Sequence, residues 1–304
     1  MRCVKQLTPR STLNGVVEVA AANEEATEAW NGVLFDRLVA FRHIIVVGLE
    51  VHGEEALRTD PPQPGDRVLD IGCGFGDATQ RLAGIVGPEG EAVGVDVAER
   101  FVAEARKEAA QAGVENVRFE TADVEVRRFE PPFDYAYSRM GTMFFANPVA
   151  ALRNVRESLV PGGRLCSVVW RQKVDNEWLY VAEQEVSKYV EEDPDSDEPT
   201  CGPGPFSMAN ADATSQILLN AGFEEVALRR HDAPFRMGAD LDEAVAYVMA
   251  LGPAGEVLRL AGEEAKRLEP EIVAGLREAL GPYARDDGVW GNMSTWIVTA
   301  RVPG

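Results

Sequence analysis

The chain has 304 residues, 45% of them hydrophobic, enough for one enlarged domain or two small ones with a sizeable core. Thirty Lys and Arg against 50 Asp and Glu leave a net charge of −20, a field that repels duplex DNA, bulk RNA and anionic membrane surfaces. The four cysteines lie apart, no run of about 18 uncharged apolar residues occurs, and Met1 to Leu7 lacks a secretion-type apolar stretch; reduced thiols, a cytoplasmic location and no membrane span are predicted.

From Glu24 onward, Trp30, Leu34, Leu38 and Phe41 recur at helical spacing, and Ile45, Val46, Leu49 and Val51 continue the pattern between His43 and Leu57. Pro61-Pro62-Gln63-Pro64-Gly65 then stiffens the chain, dividing an N-terminal helical cap, 1–60, from a core, 61–304. Arg67-Val-Leu-Asp-Ile71 reads as a buried strand running through Gly72, Gly74 and Gly76 into a helix. Glycine at every second position lets a ligand touch the backbone, although a tight strand-to-helix turn would use the same residues. Spacing argues against two phosphate-binding loops: a dinucleotide loop needs Gly or Ala where Asp77 stands, and a P-loop needs a Gly-Lys-Ser/Thr ending. Asp70 and Asp77 flank the turn and no Lys or Arg lies between Arg67 and Arg81, so the loop should repel phosphate and favour a cation. S-adenosylmethionine, with a sulfonium, an ammonium and no phosphate, meets both conditions.

Val68 to Gly76 resembles the first motif of the class I S-adenosylmethionine-dependent methyltransferases, and the match continues in order. Glu91-Ala-Val-Gly-Val-Asp96 reads as a second strand; the resemblance implies that Asp96 bonds the ribose hydroxyls and that Val97 packs against adenine. Asn116 to Asp123 is similar to the motif whose acid, here Asp123, bonds the adenine amino group beside the Val124 amide. Phe133 to Ser138 resembles the fourth strand, after which a backbone carbonyl near Ser138 or Arg139 receives the methionine ammonium. Pro161 to Trp170 resembles the turn and fifth strand. The resemblance implies a doubly wound, seven-stranded, mostly parallel Rossmann-like α/β sheet with its last strand antiparallel. It also implies S-adenosylmethionine as cofactor, S-adenosylhomocysteine as product, and a cofactor site of Asp70, Gly72, Cys73, Gly74, Gly76, Asp96, Val97, Asp123, Val124, Ser138 and Arg139. Bland alternatives stand beside two of these: Asp96 as N-cap of the helix beginning near Ala98, and Asp123 as a turn residue. Cys73 reads as the small apolar occupant of the loop.

Between the strands, Ala78, Leu82 and Ile85 define a helix stopped by Gly87-Pro88, and Phe101, Val102, Ala105, Ala109 and Ala112 one stopped by Gly113. Asn147-Pro148 caps a third, with Val149, Leu152, Val155 and Leu159 as its buried stripe. Residues 171–210 interrupt the alternation as a lid insertion. They hold Trp178, Tyr180 and Tyr189, the acidic run Glu191 to Glu198, and Cys201 to Phe206 with candidate hinges at Gly202, Pro203, Gly204 and Pro205. A helix over 211–222, a strand over 223–231, a helical insertion at 240–285 formed by helices over 241–260 and 261–280, and an antiparallel last strand over 294–301 complete the chain.

Methyl transfer is an in-line displacement at a sulfonium, so holding donor and acceptor in line and excluding water does much of the work. Candidate bases are His43, His231, Tyr137 and Arg139, with His52 and Glu177 as further possibilities; no metal-ligand spacing accompanies them, and no metal is expected. Trp30, Phe35, Met143, Phe144 and Trp178 are candidates for an apolar acceptor pocket. Ser138-Arg-Met-Gly-Thr142 stands where methyltransferases of base or glutamine amides carry Asn/Asp-Pro-Pro-Tyr/Phe, which argues against those acceptors. The predicted function is therefore S-adenosylmethionine-dependent methylation of a small, partly apolar metabolite at O, N or C, with no nucleic-acid partner; a homodimer is compatible with the sequence. The alternatives are a protein side-chain methyltransferase and a non-catalytic S-adenosylmethionine-binding subunit or sensor. A nicotinamide-dependent oxidoreductase would need a Tyr-x-x-x-Lys pair, which is absent.

Overall fold

The computed structural model describes residues 18–191 and 203–304; Met1 to Leu7 with Cys3, the acidic run after Glu191, Cys201 and Gly202 lie outside the described residues. Helices α1 (Glu24–Asn31), α2 (Val33–Ala40) and α3 (Arg42–Thr59) precede β1 (Arg67–Ile71), α4 (Asp77–Val86), β2 (Glu91–Asp96), α5 (Glu99–Ala112), β3 (Val117–Thr121), β4 (Phe133–Arg139), α6 (Pro148–Glu157) and β5 (Leu159–Trp170). Then follow α7 (Glu177–Val186), α8 (Ala211–Ala221), β6 (Glu224–Gly238), α9 (Leu241–Ala250), α10 (Gly252–Arg267), α11 (Glu269–Leu280), β7 (Ala284–Arg285) and β8 (Gly288–Arg301).

The sheet order is β3-β2-β1-β4-β5-β8-β6, with β7 an extra short strand on β8. The first five strands in that order pair in parallel, and β8 runs antiparallel between β5 and β6, as the resemblance implied. Side chains alternate across the pleat. Leu69, Ile71, Val93, Val95 and Val169 bury one face under α6 and α8, whereas Val68, Ala92, Tyr135, Tyr137 and Cys166 bury the other under α3 and α4. Helix ends follow local chemistry: α4 stops at Gly87 and α5 at Gly113, both at positive φ, and the Asn147 side chain accepts the Ala150 amide hydrogen at 3.1 Å to start α6.

The periodicity of residues 24–41 predicts one helix, but the chain breaks at Gly32, giving α1 and α2. The expected pair of helices over 241–280, meeting near 260, keeps a break close to that point as a kink at Gly262 inside α10 and gains two more, at Leu251 and Leu268. Leu251 is extended, Gly252 takes φ of 77° and Pro253 opens α10, so the first helix ends at Ala250. The largest departure concerns β6 and β8, which run seven and six residues further than expected, to Gly238 and back to Gly288. Their register continues from His231↔Thr295 to Gly238↔Val289, forming a ribbon that projects past Trp170, the last residue of β5. Pro234 falls inside β6, which is an edge strand, where proline is tolerated. Phe235, Met237, Val289 and Met293 of this ribbon join α7, α9, α10 and α11 in a second core that roofs the carboxyl ends of the parallel strands. Among the described residues no single helix is long and apolar enough to cross a membrane.

Candidate active site

A cavity of about 730 Å³ opens at the carboxyl ends of β1 to β5, where open α/β sheets hold ligands. Its floor is the β1–α4 loop with Asp96, Val97, Val124 and Arg139; its walls come from α1 and α2 and from the second core. The loop is tied down by its own backbone: Gly72 and Cys73 donate to the Val95 carbonyl at 2.8 and 3.1 Å. The three glycines serve different ends. A Cβ on Gly72 would sit 2.8 Å from Gly141 Cα, and one on Gly76 would sit 2.7 Å from the Phe119 ring, so both permit close packing within the protein. Gly74, at φ of 53°, has nothing within 4 Å of its Cβ position and lines the cavity.

The Asp96 carboxylate accepts the Gly74 amide at 3.0 Å through one oxygen and the Ala98 amide at 2.9 Å through the other. Burial raises its pKa, while those amides and that of Val97 act the opposite way. Asp123 is shared with the N-terminal segment: one oxygen accepts from Ala20 N at 3.0 Å and Asn23 Nδ2 at 2.8 Å, the other from Glu125 N at 2.9 Å. Cys73, Val97 and Val124 line the cavity beside them. Ser138 and Asp70 do not: Ser138 Oγ donates to the Ile71 carbonyl at 2.8 Å, and Asp70 accepts from the Thr79 hydroxyl at 2.6 Å, both buried behind the loop.

Burial pushes the Asp70 carboxyl up to about 7, with the Thr79 hydrogen bond opposing it. A carboxyl raised in the folded state contributes stability that is fully present below its unfolded pKa, near 4, and lost as pH rises through about 7. Asp70→Asn keeps an acceptor for Thr79 and removes that loss. Between pH 4 and 7 the unfolding free energy of the variant should gain on the native protein by up to ~1.4 kcal/mol per pH unit, measured by urea denaturation without donor. A difference that stays flat across this window would overturn the assignment.

The sequence reading leaves the loop field wholly negative. The structure corrects this: Arg139, whose side chain is 11% exposed, forms an ion pair with Asp77. The remaining base candidates lie off the cavity. His43 is at the surface, where it pairs with Glu243 at 2.9 Å. Tyr137 lies under α3 with its hydroxyl against Gly53, and His231 packs edge-on to His52, ring centroids 4.8 Å apart. Burial and the neighbouring His231 push His52 down to about 4, so its ring is neutral near pH 7. Glu177 is also outside the lining.

Of the acceptor-pocket candidates, Trp30, Met143, Phe144 and Trp178 line the cavity. Phe35 does not; it points from α2 into a separate cluster with Phe75 and Phe101, under the Arg100 guanidinium. Lining residues that the sequence did not single out include Asn23, Phe235, Tyr247, Met293 and the ion pair of Lys173 with Glu183, 2.6 Å apart.

The methyltransferase-domain family matches residues 62–216, just over half of the chain, and the chain belongs to that family, within the class I S-adenosylmethionine-dependent methyltransferases. Aklanonic acid methyltransferase DauC of Streptomyces sp. strain C5 is 35% identical over 114 residues, 37% of this chain and 52% of that protein. The ubiquinone/menaquinone biosynthesis C-methyltransferase UbiE of Ectopseudomonas mendocina is 40% identical over 105 residues, 34% and 41% of the two chains. The chain thus spans about half the length of these curated relatives. Among solved structures, the YcgJ protein of Bacillus subtilis shares the fold with a TM-score of 0.53 at 18% identity, covering 84% of this chain and 98% of that one. Phosphoethanolamine N-methyltransferase 2 of Haemonchus contortus, solved in complex with S-adenosyl-L-methionine, has a TM-score of 0.52 at 17% identity, covering 95% and 61%.

The cofactor of this class is S-adenosylmethionine, which supplies a methyl group activated on a sulfonium. The residues present fit it. Gly74 leaves open the space a Cβ would take, the half-buried Asp96 carboxylate lines the cavity beside it, and the buried Asp123 stands across the floor.

Proposed function

We propose that this protein transfers the methyl group of S-adenosylmethionine to a small, partly apolar metabolite in the cytoplasm. The observation that carries this reading is continuity: one cavity runs from the glycine loop to a chamber of Trp30, Phe144, Trp170, Trp178, Phe235 and Met293. Asp96 is assigned to the ribose hydroxyls, Val97 to the adenine face and Asp123 to the adenine amino group. Because Asn23 and Ala20 already bond Asp123, the N-terminal segment is positioned to close over the same end. The β4 backbone beyond Ser138 is assigned to the ammonium, and Arg139 holds Asp77 rather than taking a proton. Catalysis on this reading is positioning: the walls exclude water and hold the acceptor atom about 3–3.5 Å from the methyl carbon, in line with the bond that breaks.

The cover formed by α1, α2, α7, α9 and α10 favours a small acceptor over a protein side chain, which needs an open cleft. The relatives that act in aklanonic acid and quinone biosynthesis support the same size class. The test is incubation with methyl-labelled donor and a fractionated metabolite extract. Label in a small organic product is the expected result; donor binding with no labelled product in any fraction would favour the sensor alternative.

A further inference from the structure

The chamber's far wall is built with unusual closeness. Trp178 and Phe235 stack with ring centroids 5.1 Å apart and planes 15° from parallel, and the Trp178 indole N–H donates to the Asn292 carbonyl at 3.1 Å. Both rings rest on glycines. A Cβ on Gly291 would meet Trp178 Cδ1 at 2.4 Å, and one on Gly48 would meet Phe235 Cε2 at 2.2 Å. Tyr247 of α9 extends this panel. Its ring lies 6.1 Å from Trp178, 5.8 Å from Phe235 and 5.6 Å from Phe41, which fixes it in place.

Tyr247 is 9% exposed and lines the cavity, and its hydroxyl makes no hydrogen bond to the described protein. Other polar groups of the chamber are already engaged: Lys173 with Glu183, Arg139 with Asp77 and Glu256 with Arg259. The Tyr247 oxygen is not among the buried polar atoms, so the hydroxyl opens on the cavity, where a ligand oxygen can meet it. We infer that the Tyr247 hydroxyl is a specificity-determining group that donates a hydrogen bond to an oxygen on an acceptor ring held in the chamber, with the buried Trp178–Phe235 pair fixing the tyrosine in place. This rests on the methyl-transfer reading and deepens it. The apolar walls supply affinity without choosing among rings, whereas the single hydroxyl chooses those that carry oxygen at the right edge.

The probes are 1-naphthol and naphthalene, the same ring with and without oxygen, measured by equilibrium dialysis against the full chain with and without S-adenosylhomocysteine. The native protein should prefer 1-naphthol by at least tenfold more than Tyr247→Phe does, with the naphthalene Kd and the S-adenosylhomocysteine Kd unchanged by the substitution. Because the hydroxyl has no partner, Tyr247→Phe should keep the native Tm; a lower Tm would reveal a structural bond and overturn the inference. So would an unchanged preference for 1-naphthol. Phe235→Leu, which loosens the support behind Tyr247, should also reduce the preference for 1-naphthol, and a native preference in that variant would remove the panel from the inference. Failure of the methyl-transfer reading is separate: S-adenosylhomocysteine would then not bind the native protein at all.

Discussion

Gly72→Ala is expected to lower the Tm by roughly 3–8 °C, whereas Gly74→Ala, two residues away, should lower it by only about 2–3 °C and abolish most donor binding. Both glycines have left-handed φ, 68° and 53°, so an alanine at either carries a backbone cost of about 1–2 kcal/mol. At Gly72 the added methyl also meets Gly141 Cα at 2.8 Å. That neighbour is backbone, held in turn by its own approach to the Ile71 carbonyl, 2.5 Å from where a Gly141 Cβ would lie. Nothing flexible can give way, and overpacking adds about 1–3 kcal/mol. At Gly74 the same methyl meets no protein atom within 4 Å and projects where the donor is proposed to lie. A loss of affinity of tenfold or more, about 1.4 kcal/mol, should follow. Circular dichroism melts and calorimetric titration of S-adenosylmethionine read the two effects separately. Native-like donor affinity in Gly74→Ala would mean that the loop shapes the fold and does not contact the ligand.

The difference between those glycines was not legible in the sequence, where Gly72, Gly74 and Gly76 look equivalent. The parallel half of the sheet was legible because buried parallel strands are continuous apolar runs, and Gly87, Gly113 and Asn147 punctuate the helices between them. The ribbon of β6 and β8 was hidden by Pro234, whose cost depends on lying at an edge that only the assembled sheet defines. Trp30, Leu34 and Leu38 share a helical stripe and do line the cavity, but Phe35 is rotated about 100° from Leu34 and faces Phe101. Pairings across 62 and 100 residues, Arg139 with Asp77 and Asn23 with Asp123, left no local trace. The first overturned the expected field around the loop. Tyr247 and Phe235 were not singled out because the panel they form with Trp178 joins three separate segments.

Asp96→Ala should weaken S-adenosylmethionine binding by roughly 1–3 kcal/mol, about 5–150-fold, if its carboxylate bonds the ribose hydroxyls. The structure adds a second route to the same loss. Asp96 holds the Gly74 amide at 3.0 Å and the Ala98 amide at 2.9 Å, so its removal also loosens the loop and the start of α5. The two routes agree on one comparison. Ribose contacts and loop order act on the donor and on S-adenosylhomocysteine alike, so both should weaken by the same factor. A general attraction between the carboxylate and the sulfonium would weaken only the cation. Asp96→Asn separates the routes: its amide retains one acceptor for a loop N–H but cannot accept from two amides and two hydroxyls. It should fall between the native protein and Asp96→Ala for both ligands. Calorimetry at constant pH measures all six affinities, and unchanged values in a folded Asp96→Ala protein would remove Asp96 from the site.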